Sequence, residues 1–248
     1  MPYLTRDDGV RLYYEVTGGG AATPLILSHG FGASSRIWTP NVEALAASRR
    51  VITWDLRGHG HSDAPEQQNL YTAQASVADL AALLDATGCD KAVVGGLSLG
   101  GYLSLRFYGA HPDRVAALIL CDTGPGYRND QARDDWNARA LATADQIDRD
   151  GRADLGGVTH DVAAGVARAA RGILTQHDAA VIESLPSITV PALVVVGSRD
   201  TAFLGAADYM AAKIPGARKV LIDDAGHVSN RDAPAEFNQA VLAFLDGL

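Results

Sequence analysis

The sequence predicts an α/β fold built on a mostly parallel sheet. Short apolar, β-branched runs alternate with longer alanine-rich amphipathic stretches, the pattern of strands buried on both faces and joined by crossover helices. The chain also has the size and composition for one full core. With 248 residues, of which 47% are hydrophobic and 20% charged, it needs neither disulfides nor metals to fold and has no disordered composition.

The elements follow in order. Residues 10–16 read as a strand after the Asp8-Gly9 turn, and Gly18-Gly19-Gly20 ends it. Further strands are predicted at 24–28, 51–54, 91–95, 115–121, 191–196 and 219–222. Helices are predicted near 38–47, 75–86, 99–110, 202–213 and 234–245. Residues 124–186 break the alternation: they are rich in Ala, Arg, Asp and Gly and carry no convincing strand. Such a stretch is too long for a connecting loop and reads as a helical insertion with a function. The expected division is a core at 1–124 and 187–248 and a helical cap at 125–186.

A net charge of −8 offers no basic footprint for nucleic acid or anionic lipid and favours work on small molecules. Cys89 and Cys121 form no metal or redox spacing and read as small buried apolar residues. The first residues, Met1 to Asp8, lack a basic region followed by an apolar run, and no apolar stretch reaches the roughly 18 residues of a membrane span. A cytoplasmic protein without membrane or nucleic-acid partners is expected, and its oligomeric state is left open.

Gly96-Leu97-Ser98-Leu99-Gly100 is the sharpest local signal, because it follows a strand and opens a helix. A serine in so tight a turn projects its hydroxyl above the sheet, and glycine two residues to either side permits the close backbone approach. A nucleophilic serine needs a base, and the base needs an orienting carboxylate. Asp200 and His227 both follow strands at their carboxyl ends, where open α/β sheets place ligands, and the chain order Ser98, Asp200, His227 suits this turn. Asp122, at the end of strand 115–121, is a competing acid, or else a turn carboxylate. His111, His160 and His177 fit the role of base less well. The glycines of His29-Gly30-Phe31-Gly32 allow backbone N–H groups to face a developing anion, which assigns an oxyanion hole to the N–H groups of Phe31 and Leu99.

These residues, together with Asp55-Leu56-Arg57-Gly58-His59-Gly60-His61-Ser62 and Ala225-Gly226-His227, resemble the α/β-hydrolase superfamily across essentially the whole chain. The resemblance implies an eight-stranded sheet, a cap inserted after the sixth strand, and no cofactor. Within the superfamily the chain looks like the small bacterial esterases and enol-lactonases. Serine at position 98 argues against the epoxide hydrolases and haloalkane dehalogenases, which use aspartate there.

The expected function is hydrolysis of a small-molecule carboxylic ester or lactone through an acyl-serine. Alternatives on the same triad are a thioesterase, a carbon–carbon bond hydrolase, an acyl-transferring or peracid-forming enzyme, and a ligand-binding receptor with a slow triad. Phe31, Leu99, Tyr127, Trp136, Phe203 and Val228 flank these elements and are candidates for the substrate pocket. An aromatic content of 6% predicts few aromatic walls, which suits an aliphatic or small polar ester.

Two look-alikes are set aside. Gly30-Phe31-Gly32 followed by Asp55 mimics a dinucleotide fingerprint, but position 35 is serine rather than the third glycine. His59-Gly60-His61-Ser62-Asp63 resembles part of a dinuclear metal site, but the histidine that should follow is Ala64. A loop braced by Asp55 and Arg57 is the expected reading, with no metal.

Overall fold

The structure is a computed structural model that describes residues 3–153 and 162–248. Along the chain run β1 (Tyr3–Thr5), β2 (Arg11–Thr17), β3 (Ala22–Ser28), α1 (Thr39–Leu45), β4 (Arg49–Trp54), α2 (Ala73–Ala86), β5 (Ala92–Leu97), α3 (Leu99–Ala110) and β6 (Val115–Cys121). Then come α4 (Asp130–Asp150), α5 (Ala163–Gly172), α6 (Ala180–Ser184), β7 (Ala192–Gly197), α7 (Leu204–Lys213), β8 (Arg218–Ile222), α8 (Ser229–Asp232) and α9 (Pro234–Leu245).

The strands form one eight-stranded sheet in the order β1-β2-β4-β3-β5-β6-β7-β8. Both pairings of β2 are antiparallel, and all the others are parallel. The short strand β1 is absent from the sequence reading, because three half-exposed residues give no periodicity to detect.

Side chains alternate across the sheet. Ile26 of β3 enters the apolar cluster that contains Leu80, Leu103, Phe107 and Met210 of α2, α3 and α7. Its neighbours Leu25 and Leu27 enter the opposite cluster, with Leu45 of α1 and Phe237, Val241 and Phe244 of α9. Both faces of the sheet are therefore covered, as a parallel sheet requires. Cys89 and Cys121 are buried free thiols within these clusters, and burial holds the Cys121 pKa well above its ordinary value.

Register then decides where function can sit. Ser28 lies opposite Gly96, Leu97 opposite Cys121, Cys121 opposite Val195, and Gly197 opposite Ile222. Five parallel strands thus stop along one edge, and the residues just beyond three of them, Ser98, Asp122 and the turn leading to Asp200, emerge side by side.

Among the described residues, the stretch between β6 and β7 is helical and holds no strand. Asn129 caps α4 through its Oδ1, 2.9 Å from the Ala132 N–H, and Gly151 ends that helix with φ +65°. α4 packs on α5 through a small cluster of Ala144, Ile147, Ala153, Val166, Ala167 and Ala170. The other face of α5, through Ala169, and the following Ile173 belong to the main core.

Candidate active site

Ser98 sits in the turn between β5 and α3 with φ +52°, a conformation that L-residues avoid. Its backbone is held on both sides. The Ser98 N–H donates to the Cys121 carbonyl at 2.8 Å, and its own carbonyl accepts from Thr123 Oγ1 at 2.6 Å and from the N–H groups of Gly101 and Tyr102. Glycine makes the turn possible: a Cβ on Gly96 would stand 2.3 Å from the Gly100 carbonyl carbon. The strand runs to Leu97, two residues beyond its predicted end, and so delivers Ser98 directly.

The Ser98 hydroxyl lies 3.0 Å from His227 Nε2, and His227 Nδ1 lies 2.8 Å from Asp200 Oδ2. The turn that carries Asp200 is stitched to the loop that carries His227. Ser198 N–H donates to the Ile222 carbonyl, Arg199 N–H to the Ala225 carbonyl, and Asp224 N–H to Ser198 Oγ. Phe203 stacks on the imidazole, with ring centroids 4.9 Å apart. Burial pulls the His227 pKa down, but the hydrogen bond it donates to Asp200 and the charges of Asp200 and Asp122 raise it, and the net shift is upward from the ordinary 6.5.

Asp122, the competing acid, takes another place. It is fully buried, with φ +46°. Its Oδ1 accepts from the Gly197 N–H at 2.8 Å, and its Oδ2 accepts from the Ser229 N–H at 3.1 Å and the Ser229 hydroxyl at 2.5 Å. It ties the end of β7 to the start of α8 and makes no hydrogen bond to His227.

The segment 29–32 lies against the serine: a Cβ on Gly30 would come 3.3 Å from Ser98 Cβ. Two buried imidazoles fix it. Leu56 N–H donates to His29 Nε2 at 3.0 Å, and Gly32 N–H donates to His59 Nε2 at 3.1 Å. Each ring accepts at Nε2, so each presents Nδ1–H, to the Gly30 carbonyl from His29 and the Arg57 carbonyl from His59. The N–H groups of Phe31 and Leu99 have no acceptor among the described residues.

The residues of the two look-alike motifs are engaged elsewhere. Asp55 is fully buried and accepts from the N–H groups of Ser35 and His61. His61 packs edge-on against Tyr13, and Asp63 pairs with Arg11 at 2.9 Å. Arg57 forks onto Asp79 at 2.6 and 2.8 Å and also reaches Asp8. The loop is therefore braced by Asp55 and Arg57.

Beside Ser98 lies a cavity of about 260 Å³. Leu99, Tyr127, Trp136 and Phe203 line it, as their positions suggested. Phe31 and Val228 do not: the Phe31 ring packs edge-on to His59, and Val228 packs on the core cluster beneath α9. The expectation of few aromatic walls is overturned, since Tyr102, Tyr127, Trp136 and Phe203 all border the cavity. A low overall aromatic content says nothing about where the rings concentrate.

Tyr102, Thr123, Leu174 and Gln176 are wall residues that the sequence reading missed. Tyr102 stands four residues after Ser98 on α3, one helical turn on, and could have been found by that spacing. Thr123 follows a strand end and could have been found likewise. Leu174 and Gln176 lie in the insertion, where nothing in the periodicity marks the inward face. His177 also lies in that segment, away from His227, and His160 lies outside the described residues.

No group of three or more metal-ligating side chains occurs among the described residues, and no described helix is long and apolar enough to cross a membrane.

Comparisons with known proteins agree with this fold. A family model of the alpha/beta hydrolase fold matches residues 23–165. The chain is 29% identical to 3-oxoadipate enol-lactonase 1 of Acinetobacter baylyi, over 99% of this chain and 97% of that protein. It is 34% identical to the dihydrolipoyllysine-residue acetyltransferase component of the acetoin cleaving system of Pseudomonas putida, over 98% of this chain and 69% of that protein. Among solved structures, a thermophilic esterase from Thermogutta terrifontis is similar, with TM-score 0.87 and 30% identity, covering 99% of this chain and 98% of the esterase.

Proposed function

Because the chain belongs to the family of the α/β-hydrolase fold, we propose that it is a serine hydrolase cleaving a carboxylic ester or lactone through an acyl-serine. The observation that carries this reading is the continuous chain from Ser98 Oγ through His227 to Asp200, at 3.0 and 2.8 Å, opening on an apolar cavity. The enol-lactonase and the esterase among the similar proteins support the substrate class.

Ser98 Oγ attacks the carbonyl carbon and its proton passes to His227 Nε2. Asp200 holds Nδ1–H, which fixes the tautomer and stabilises the imidazolium. The carbonyl electron pair moves onto oxygen, where the unpartnered N–H groups of Phe31 and Leu99 receive the charge. As the tetrahedral species collapses, the bond to the leaving oxygen breaks and His227 returns the proton to it. In a lactone that oxygen stays tethered to the acyl group. Water then attacks the acyl carbon and gives a proton to His227, and as the bond to Ser98 breaks His227 passes that proton back to Ser98 Oγ, which releases the acid and restores the neutral pair. Losing one oxyanion donor raises the barrier by about 3 kcal/mol, a hundredfold or more in rate.

Residues 125–186 serve in this reading as the cap, since α4 contributes Trp136 and the segment after α5 contributes Leu174 and Gln176 to the cavity wall.

The test is labelling with a fluorophosphonate, followed by intact mass and peptide mapping. Wild type is expected to gain one adduct on the peptide holding Ser98, and Ser98→Ala none. An unlabelled wild type, or equal labelling of both, overturns the reading.

A further inference from the structure

The two sides of Ser98 are unlike. Ser98 and Leu99 border the cavity, whereas His227 is not among its lining residues, although Nε2 stands 3.0 Å from Ser98 Oγ. The imidazole opens to solvent instead, with 43% of its side chain exposed. Phe203 marks the boundary. Its ring borders the cavity and also stacks on the imidazole, with an interplanar angle of 25°, and its N–H donates to the Asp200 carbonyl at 2.9 Å.

The wall of the cavity is braced. Trp136 Nε1 donates to the Leu174 carbonyl at 2.9 Å. Asn137, the next residue of α4, clamps the Gln176 backbone, since its Oδ1 accepts from the N–H at 2.8 Å and its Nδ2 donates to the carbonyl at 2.7 Å. Tyr127 packs on Trp136 with ring centroids 6.0 Å apart. On the core side Tyr102 is buried, and its hydroxyl accepts from Arg106 at 3.4 Å. A volume of about 260 Å³ inside such walls is small for a ligand cavity, and at roughly 30 Å³ per water-sized group it holds about eight or nine heavy atoms.

The proton transfers decide which half of an ester enters it. The tetrahedral carbon carries Ser98 Oγ, the oxyanion, the leaving oxygen and the acyl chain. The oxyanion points at the N–H groups of Phe31 and Leu99, and the leaving oxygen must lie within hydrogen-bond reach of His227 Nε2 to take its proton. The alcohol half therefore emerges beside the exposed imidazole, and the acyl chain takes the remaining direction. We propose that the cavity is an acyl site of limited length, and that the alcohol half of the ester extends past His227 into solvent. The proposal rests on the serine-hydrolase reading and narrows its substrate class to esters of compact apolar acids, of up to about eight carbons, with little limit on the alcohol. Discrimination is one-sided, because an overlong acyl chain must open a braced wall, whereas an overlong alcohol meets water.

The experiment compares methyl butanoate with two longer esters that are isomers of each other, octyl butanoate and methyl undecanoate, by acid release below their solubility limits. In wild type, kcat/KM for octyl butanoate is expected to stay within about threefold of methyl butanoate, and that for methyl undecanoate to fall at least about tenfold below it. Tyr127→Ala, which enlarges the cavity, is expected to raise the ratio of methyl undecanoate to methyl butanoate by at least about fivefold. Leu174→Ala opens the same wall and serves if Tyr127→Ala does not fold. A loss confined to octyl butanoate exchanges the two halves and overturns the proposal. Equal rates on all three esters, or an equal loss on both long ones, also overturn it, as does an undecanoate ratio that neither variant raises. All of these leave the serine-hydrolase reading standing. If wild type hydrolyses none of the three esters the proposal fails, and the absence of a fluorophosphonate label then shows that the underlying reading fails with it.

Discussion

The carboxyl ends of β6 and β7 are neighbours in the sheet, and each is followed by an aspartate, yet the two carboxylates serve different ends. At β6, Asp122 is wholly enclosed, and its oxygens accept from Gly197 and Ser229. At β7, Asp200 stands beyond a tight turn and offers Oδ2 to His227. Burial, opposed by those hydrogen bonds and aided by the charge of Asp200, holds the Asp122 pKa above its ordinary value. Asp200, by contrast, supports the charged form of an imidazole that meets the Ser98 hydroxyl. Position at a strand end delivers a candidate acid; the hydrogen-bonding capacity left over after folding decides which candidate can work on a substrate.

Asp200→Asn should break the contrast most strongly. It is expected to lower kcat by about 10⁴-fold, since the amide favours the wrong imidazole tautomer, with little change in the unfolding midpoint. Asp122→Asn should do the opposite. Its –NH2 would face a backbone or hydroxyl donor, so a stability loss of about 1–3 kcal/mol is expected in denaturant titrations, with kcat/KM reduced by no more than about 10²-fold. A larger loss of turnover in Asp122→Asn than in Asp200→Asn would exchange the two roles. Ser229→Ala removes one donor to a carboxylate and is expected to cost about 1.5 kcal/mol of stability, visible in the same titration.

The smallest effect is the pH dependence. In the proposed mechanism turnover needs neutral His227, whose pKa is raised above the ordinary histidine value of 6.5, so kcat/KM is expected to fall with decreasing pH through a midpoint above that value. The same shift makes the His227–Asp200 pair stabilising below about pH 6.5, a contribution lost as the pH rises through the folded pKa. Titration of the His227 ring by NMR checks the sign, and Asp200→Asn should move the midpoint downward because burial then acts with less opposition.

Much of this site was legible in the sequence because it depends on local patterns. The apolar run Val115–Cys121 reads as a strand wherever it is placed, and glycines two residues to either side of Ser98 announce a tight turn before any partner is known. The start of α2 was also open to reading: Thr72 caps it, with Oγ1 2.9 Å from the Ala75 N–H, two residues earlier than the helix predicted at 75–86. The cavity wall was less accessible. α4 is long and polar, burying only Ala140, Ala144 and Ile147, so its sequence does not say that Trp136 and Asn137 turn toward the segment 174–176. Which side of such a helix faces a cavity is set by packing against α5. Phe31 and Val228 illustrate the converse, since nearness in sequence to the reacting groups did not bring their side chains to the wall.

The most direct measurement is capture of the covalent intermediate. Wild type mixed with 4-nitrophenyl butyrate, quenched in acid at early times and digested, is expected to carry one butyryl group on the peptide containing Ser98. The adduct should accumulate at the rate of the nitrophenolate burst and be absent from Ser98→Ala. Steady release of nitrophenolate by wild type with no acyl adduct at any time, or an adduct on another peptide, would contradict the account.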